Sequence, residues 1–405
     1  MGLLAVSKFI KTKYPHLYHQ EHLSLFAHHR VFMDIASYVY KYVCIMGSKD
    51  SRWLNAFVNL CLAFRKNGVL LTIVFDGKAP EAKADEQKSR RDMRDKQTQR
   101  TETLKKALAV YEHQPAELTP EERSTLKKEI ENYNKRHDVY REPQPENADV
   151  KLDDAEVNNL HELVKSLTIQ NSSLSRDDFA DLKSLLSACG VCWMQAPAEA
   201  EAFCSWLVRR GYGTAVVSCD TDCLAHRADV VIFDVDSATG IVKYVNTKEL
   251  LAEWGLTEMQ LIDFGILCGC DYNPGSRVNK IGPATAIQLL QQYGTIDNLP
   301  LKTPTYSSIV STNGASAKRS RDAATSGGYA GLVDLACLQH RMIRELFNPE
   351  YTEDTVEGLQ SLTPSWDAVV PLLTKRPDLN QKAIRELIAS VETKPVLKPS
   401  DAKQN

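Results

Sequence analysis

Seven carboxylates carry the chemistry open to this sequence: Asp34, Asp76, Glu199, Glu201, Asp220, Asp222 and Asp271. Each stands at the end of a short apolar run or in a turn-like context. Singly, each has an ordinary structural role. An Asp after a strand often caps the next helix, Asp76-Gly77 is a common turn pair, and glutamates just after Pro197 complement a helix dipole. Together they would set several like charges in one pocket, and these cannot all stay ionised at close range without compensation. The compensation suited to an all-oxygen donor set is a hard divalent cation, Mg2+ or in its place Mn2+, whereas zinc would want His or Cys. Two such ions about 3.5–4 Å apart can clamp the attacking and leaving oxygens of an in-line phosphoryl displacement. One lowers the pKa of a water to make the nucleophile, and the other stabilises the departing 3′ oxygen. Asp220 and Asp222 share one side if the backbone there is extended. Glu199 and Glu201 would diverge on a regular helix, so at least one belongs to the turn leading into it.

Bringing these acids together requires converging strand ends. Residues 30–33 run into Asp34, 69–75 into Asp76 and 214–219 into Asp220, and 229–234 reads as a fourth strand. These runs are short, rich in β-branched residues and bounded by Gly or polar residues. Between them, Trp53, Phe57, Leu60, Cys61 and Phe64 recur at helical spacing before Asn67-Gly68, and Phe203, Trp206 and Leu207 do so before Gly211. The alternation predicts an α/β fold with a mostly parallel central sheet flanked by helices. In such sheets ligands bind beyond the carboxyl ends of the strands, where these aspartates fall.

The chain has 405 residues, 43% of them hydrophobic and 25% charged, with a formal charge of −3. Its length suggests two or three domains and its apolar content excludes a disordered chain. Residues 83–106 hold nine Lys/Arg and five Asp/Glu, a local balance of +4 that leaves −7 for the rest. A basic segment on an otherwise acidic chain points to a polyanion partner and an acidic pocket elsewhere. The longest largely apolar run, 69–75, is far short of the roughly 20 residues that span a bilayer, so no membrane partner is expected. The start, MGLLAVSK, shows no basic-then-apolar leader pattern. Ten cysteines are too sparse for a disulfide scaffold, and a reduced intracellular compartment follows as the expectation.

Five motifs, VFDGKAP (74–80), APAEAEA (196–202), DTDCL (220–224), GCDY (269–272) and IGPATA (281–286), resemble in order and character the flap endonuclease/XPG family of structure-specific 5′ nucleases. The resemblance runs from MGLLAVSKFI at the start to about residue 391, with HRMIRELFNPE (340–350) similar to the family's C-terminal region, and is weakest in 91–182. It implies that all seven acids bind metal: Asp76 and Glu201 on one ion, Asp222 on the other, Asp220 between them, and Asp34, Glu199 and Asp271 partly through water. It implies that Lys83 and Arg90, two turns apart at the base of a helical arch, are catalytic and steer the scissile phosphate. It also makes Tyr40 the aromatic on which a base near the cut stacks, and sets Gly2 near the DNA junction. A helix–two-turn–helix that binds duplex DNA around a potassium ion would match residues 277–293. Its phosphate-binding helix would start at Gly282-Pro283, with Arg277 and Lys280 beside it. Here the usual Gly-Ile-Gly turn reads Lys280-Ile281-Gly282, so Lys280 either replaces the charge of the K+ ion or adds a phosphate contact.

The expected organisation is 1–90 and 187–300 as two parts of one nuclease core, the second including the helix–two-turn–helix. A helical arch insert at 91–186 lies between them. A flexible loop at 311–328, a helical region at 329–392 and a tail at 393–405 follow. The implied activity is metal-dependent cleavage of branched (5′-flap) or nicked DNA by a monomer in replication, repair or recombination, at the nucleus or another site of DNA replication. A 5′–3′ exonuclease, a gap or junction endonuclease, and a non-catalytic DNA-binding scaffold are the alternatives. The seven intact acids argue against the scaffold. No Gln followed by two adjacent aromatics marks a sliding-clamp partner; Gln381, Ile384, Leu387 and Ile388 read as a helix face. Cys189-Gly190-Val191-Cys192 has no second ligand pair at zinc spacing, and His16, His19, His22, His28 and His29 read as surface histidines.

Overall fold

The computed structural model describes residues 3, 6–49, 51–137, 150–273, 281–300, 338–356 and 362–392. Seven strands form one sheet: β1 (His19–His22), β2 (Arg30–Asp34), β3 (Leu70–Phe75), β4 (Cys192–Gln195), β5 (Ala215–Val217), β6 (Val230–Val235) and β7 (Ile241–Asn246). Their spatial order is β1-β7-β6-β5-β2-β3-β4. From β6 to β4 all neighbours are parallel, while β7 runs antiparallel to both β6 and β1. The four strands read from the sequence are therefore β2, β3, β5 and β6. The expected α/β architecture stands, with an antiparallel edge that the apolar pattern did not signal.

Alternate residues along each strand feed two cores, because successive side chains point to opposite faces. Phe32, Val74, Val216 and Val231 enter one, packed by helices Ala200–Arg209, Glu258–Cys268, Pro283–Tyr293 and His340–Phe347. Val31, Met33, Ile73, Phe75, Val217 and Ile232 enter the other, under helices Ile35–Met46, Arg52–Lys66 and Arg176–Ala188. Helix Arg52–Lys66 buries Trp53, Phe57, Leu60, Cys61 and Phe64 as their spacing predicts. It ends at Asn67, followed by Gly68 at φ 72, a left-handed turn residue that favours glycine. The last described helix, Gln381–Glu392, packs on it through Ile384 and Leu387, and Asn55 and Asp378 bond across the junction.

Between β3 and β4 lies the insert. Helix Ala84–His113 is 30 residues long, about 45 Å at 1.5 Å per residue. Its first half is solvent-washed, and its buried residues, Thr101, Leu104, Ala107 and Leu108, all lie in the second half. There they join Leu126 and Ile130 of helix Pro120–Arg136, and Leu160 and Leu167 of helix Asp154–Gln170, in a third, separate core. Capping boxes Thr119/Glu122 and Asp153/Glu156 start the two shorter helices. The insert boundary expected at 186 falls earlier. Leu182, Leu185 and Leu186 are apolar toward the sheet, so helix Arg176–Ala188 belongs to the main body. The loop expected at 311–328 and the tail at 393–405 lie outside the described residues.

Candidate active site

The parallel strand ends deliver six of the acids, and Asp271 comes just after helix Glu258–Cys268. Asp34 closes β2 and caps helix Ile35–Met46, its Oδ1 accepting the Ala36 N–H at 3.0 Å. Its Oδ2 accepts the Ser218 hydroxyl at 2.9 Å, and Ser218 Oγ accepts the Asp220 N–H at 3.0 Å. Asp76 follows β3 and accepts the Ala200 N–H at 2.9 Å, which ties it to the helix that carries Glu201. This close approach demands glycine next door: a Cβ on Gly77 would lie 2.1 Å from the Ala196 carbonyl oxygen. Glu199 occupies the extended cap position and Glu201 the first turn of helix Ala200–Arg209, which lets both face one side. Asp220 Oδ1 accepts the Asp222 N–H at 3.0 Å, so the two acids share one turn after β5. Thr221 between them donates its hydroxyl to the Leu3 carbonyl at 3.2 Å.

Lys83 and Arg90 stand at the root of the insert and reach into this cluster. Lys83 sits in a 3-10 turn just before the long helix. Its ammonium pairs with Glu199, with Glu201 at 3.1 Å and with Asp271 at 3.8 Å. Arg90 Nη2 lies 2.5 Å from Asp271 Oδ2, and its Nε bonds Glu86 at 2.8 Å. The two cations expected to meet a phosphate are thus seated on carboxylates, and they converge on one of them, Asp271. Tyr272 donates its hydroxyl to Glu199 and lies under the Lys83 ammonium at 5.0 Å.

The electrostatics follow from burial of like charges. Burial, then the neighbouring Glu201, push Asp76 and Asp220 up to about 6 and Glu199 up to about 7. Asp34 and Asp222 are also raised well above the carboxylate range, again through burial first, then the acids around them. Burial pushes Glu201 the same way, but the Lys83 ammonium overrides it and holds Glu201 below its usual value. Both Asp222 oxygens are buried and have no hydrogen-bond partner among the described residues. A buried carboxylate without a donor is costly, and an oxygen-only set of this kind suits Mg2+ or Mn2+. The residues therefore fit the expected cations in chemistry. In geometry, no three His, Cys, Asp or Glu side chains form a ready ligand cage among the described residues. The Lys83 ammonium lies among the glutamates instead.

The remaining expected contacts divide. Tyr40 is half-exposed on helix Ile35–Met46, outside both cores, with the Arg94 guanidinium 5.9 Å from its ring centroid. Gly282 caps helix Pro283–Tyr293 with extended backbone, and a Cβ there would meet nothing within 4 Å among the described residues. Gly2, Arg277 and Lys280 lie outside the described residues. Ser218 and Tyr272 were not singled out from the sequence. Tyr272 adjoins Asp271 in the GCDY motif, a signal that could have found it, whereas nothing marks Ser218 apart from its place at a strand end. The discounted histidines behave as surface groups, His16 and His19 pairing with Glu253 and Glu249. Cys189 and Cys192 are not joined in a disulfide.

Comparison with known proteins gives the same picture. The XPG I-region matches residues 190–271, which hold five of the seven acids, and the XRN 5′-3′ exonuclease N-terminus matches residues 1–157. A probable RAD2-like endonuclease of Invertebrate iridescent virus 6 is 26% identical over 317 residues, covering 74% of this chain and 73% of the viral protein. The fold matches flap endonuclease-1 from Methanococcus jannaschii with a TM-score of 0.54 and 17% identity, over 95% of this chain and 99% of that one. It also matches the catalytic core of Rad2 in complex with DNA substrate, with a TM-score of 0.55 and 14% identity, over 95% and 99%. The order of the motifs, the sheet that gathers their acids and these likenesses agree: the chain is similar to the XPG/flap endonuclease family of nucleases.

Proposed function

We propose that this chain is a divalent-metal-dependent, structure-specific 5′ nuclease that cuts branched or nicked DNA during replication, repair or recombination. The observation that carries the reading is the gathering of the acids at one end of the sheet, where Glu199, Glu201 and Asp271 pair with the two cations at the insert's root. When bound, the divalent ions supply water activation and stabilisation of the leaving oxygen. The chain's own part is positional. Asp76, Glu201, Asp220 and Asp222 would hold the ions, with Asp34, Glu199 and Asp271 around them. The Ala36, Ala200 and Asp222 backbone N–H groups and the Ser218 hydroxyl fix acid orientations before substrate arrives. Lys83 and Arg90 hold positive charge beside the acids, where a scissile phosphate must come. Tyr40 offers its half-exposed ring to a base, and the helix start at Gly282 offers N–H groups to a duplex phosphate.

A second reading, a 5′–3′ exonuclease on the same site, is favoured by the match of residues 1–157 to the XRN 5′-3′ exonuclease N-terminus. One assay tests both. A 5′-flap, a nicked duplex, a single strand and a four-way junction are compared in Mg2+ and in EDTA. Mg2+-dependent release of an intact flap supports the endonuclease, and mononucleotide release from the nick or single strand supports the exonuclease. No cleavage of any substrate in Mg2+ or Mn2+ rejects the site as a nuclease centre.

A further inference from the structure

A second charged concavity lies within the insert, apart from the acidic pocket. It is a cavity of about 470 Å3 between helices Ala84–His113 and Pro120–Arg136, lined by Arg100, Thr103, Lys128, Glu129, Asn132 and Arg136 among others. We propose that it binds a phosphomonoester carried by a nucleotide-sized ligand.

Charge is the first argument. The lining holds three cations, Arg100, Lys128 and Arg136, and one carboxylate, Glu129, so its balance is 3 − 1 = +2. A phosphomonoester carries about −1.5 to −2 near neutral pH and matches it, whereas a phosphodiester, at −1, leaves it half compensated. Geometry is the second. The Glu129 side chain is 5% exposed and takes the Arg100 fork from two sides, through Nε at 2.6 Å and through Nη2. This buried carboxylate orients the guanidinium and leaves its Nη1 donors free for a ligand oxygen. Lys128 and Arg136 are exposed and have no ion-pair partner among the described residues. The Thr103 hydroxyl and Asn132 amide are likewise uncommitted among those residues. Size is the third, since ligand pockets for small molecules run from about 300 to 1,000 Å3.

The phosphate can come from the 5′ end of a strand or from a free nucleotide. In the first case the inference rests on the nuclease reading above, so binding is measured in EDTA with the full chain, where cleavage plays no part and the two readings fail separately. One arm compares fluorescent oligonucleotides of a few bases bearing a 5′-phosphate or a 5′-hydroxyl, by anisotropy. The other compares AMP with adenosine, by calorimetry. The expected result is a preference for the phosphorylated probe that drops about tenfold in the Lys128→Gln/Arg136→Gln double variant. Both residues are exposed, so the variant keeps its fold, which near-UV circular dichroism checks. A preference in the oligonucleotide arm assigns the strand end, and one in the nucleotide arm alone assigns a free nucleotide. No preference in either arm, or one that survives unchanged in the double variant, overturns the proposal.

Discussion

Replacing Lys83 by Met removes the one ammonium shared by Glu199, Glu201 and Asp271. The Lys83, Glu199 and Glu201 side chains are only 10%, 9% and 11% exposed, so water cannot take its place. Removing one partner of a buried ion pair costs about 3–5 kcal/mol. That cost depends on pH. Glu199, Asp76 and Asp220 titrate at about 7, 6 and 6, above their values in the unfolded chain. Their protonated forms favour the fold, and this contribution fades as pH rises through those values, because the native state binds the extra protons. Glu201 behaves oppositely, chiefly because Lys83 holds it ionised. Without Lys83 it joins the acids that need a proton. The Lys83→Met deficit, read from urea unfolding in EDTA, should approach 3–5 kcal/mol near about pH 8 and shrink to roughly 1–2 near about pH 5. Millimolar Mg2+ should narrow it at the higher pH. An equal deficit at both pH values, or none at either, refutes the counter-ion role.

Three further outcomes follow from the same geometry. Asp222→Asn should lower single-turnover cleavage by roughly 10²-fold or more, while DNA binding stays level or tightens because a charge near phosphate is gone; near-normal turnover would contradict Asp222 as a ligand. Arg90→Ala should reduce the single-turnover rate by about 10–100-fold with at most about a threefold change in Kd; a loss of affinity alone would make Arg90 a general phosphate contact. Gly77→Ala forces its new methyl against the Ala196 carbonyl, so stability should fall by about 1–3 kcal/mol and the cleavage rate should drop with the displaced Asp76, as thermal melts and kinetics on the same sample would show.

The acids and the strands that bear them were legible because burial on both faces of a parallel sheet writes a continuous apolar run that ends where the backbone turns. β2, β3, β5 and β6 show this. β1 did not, because His19-Gln20-Glu21-His22 is a mostly exposed edge whose pairing comes from its partner β7. β4 was obscured by the Cys189/Cys192 pair that surrounds its start. The turn position of Glu199 was legible from the conflict between i, i+2 spacing and a helix. The seat of Lys83 among the glutamates was not, since residues more than a hundred positions apart meet there only through the sheet. Ser218 was hidden for the same reason.

The seam between β2 and β5 joins Val31–Met33 to Ala215–Val217, segments about 185 residues apart. On a ribosome adding roughly 5–20 residues per second, about 10–40 s separate the emergence of these two edges. The insert, whose core draws on nearby residues, can fold within that interval. The sheet cannot close, and Asp34 and Asp76 wait on one side of an open seam while Asp220 and Asp222 are still to be made. A nascent chain stalled before β5 should therefore resist protease in its insert yet leave DNA untouched. Assembly order thus acts as a safeguard, keeping a nuclease under construction inert until its body is nearly complete.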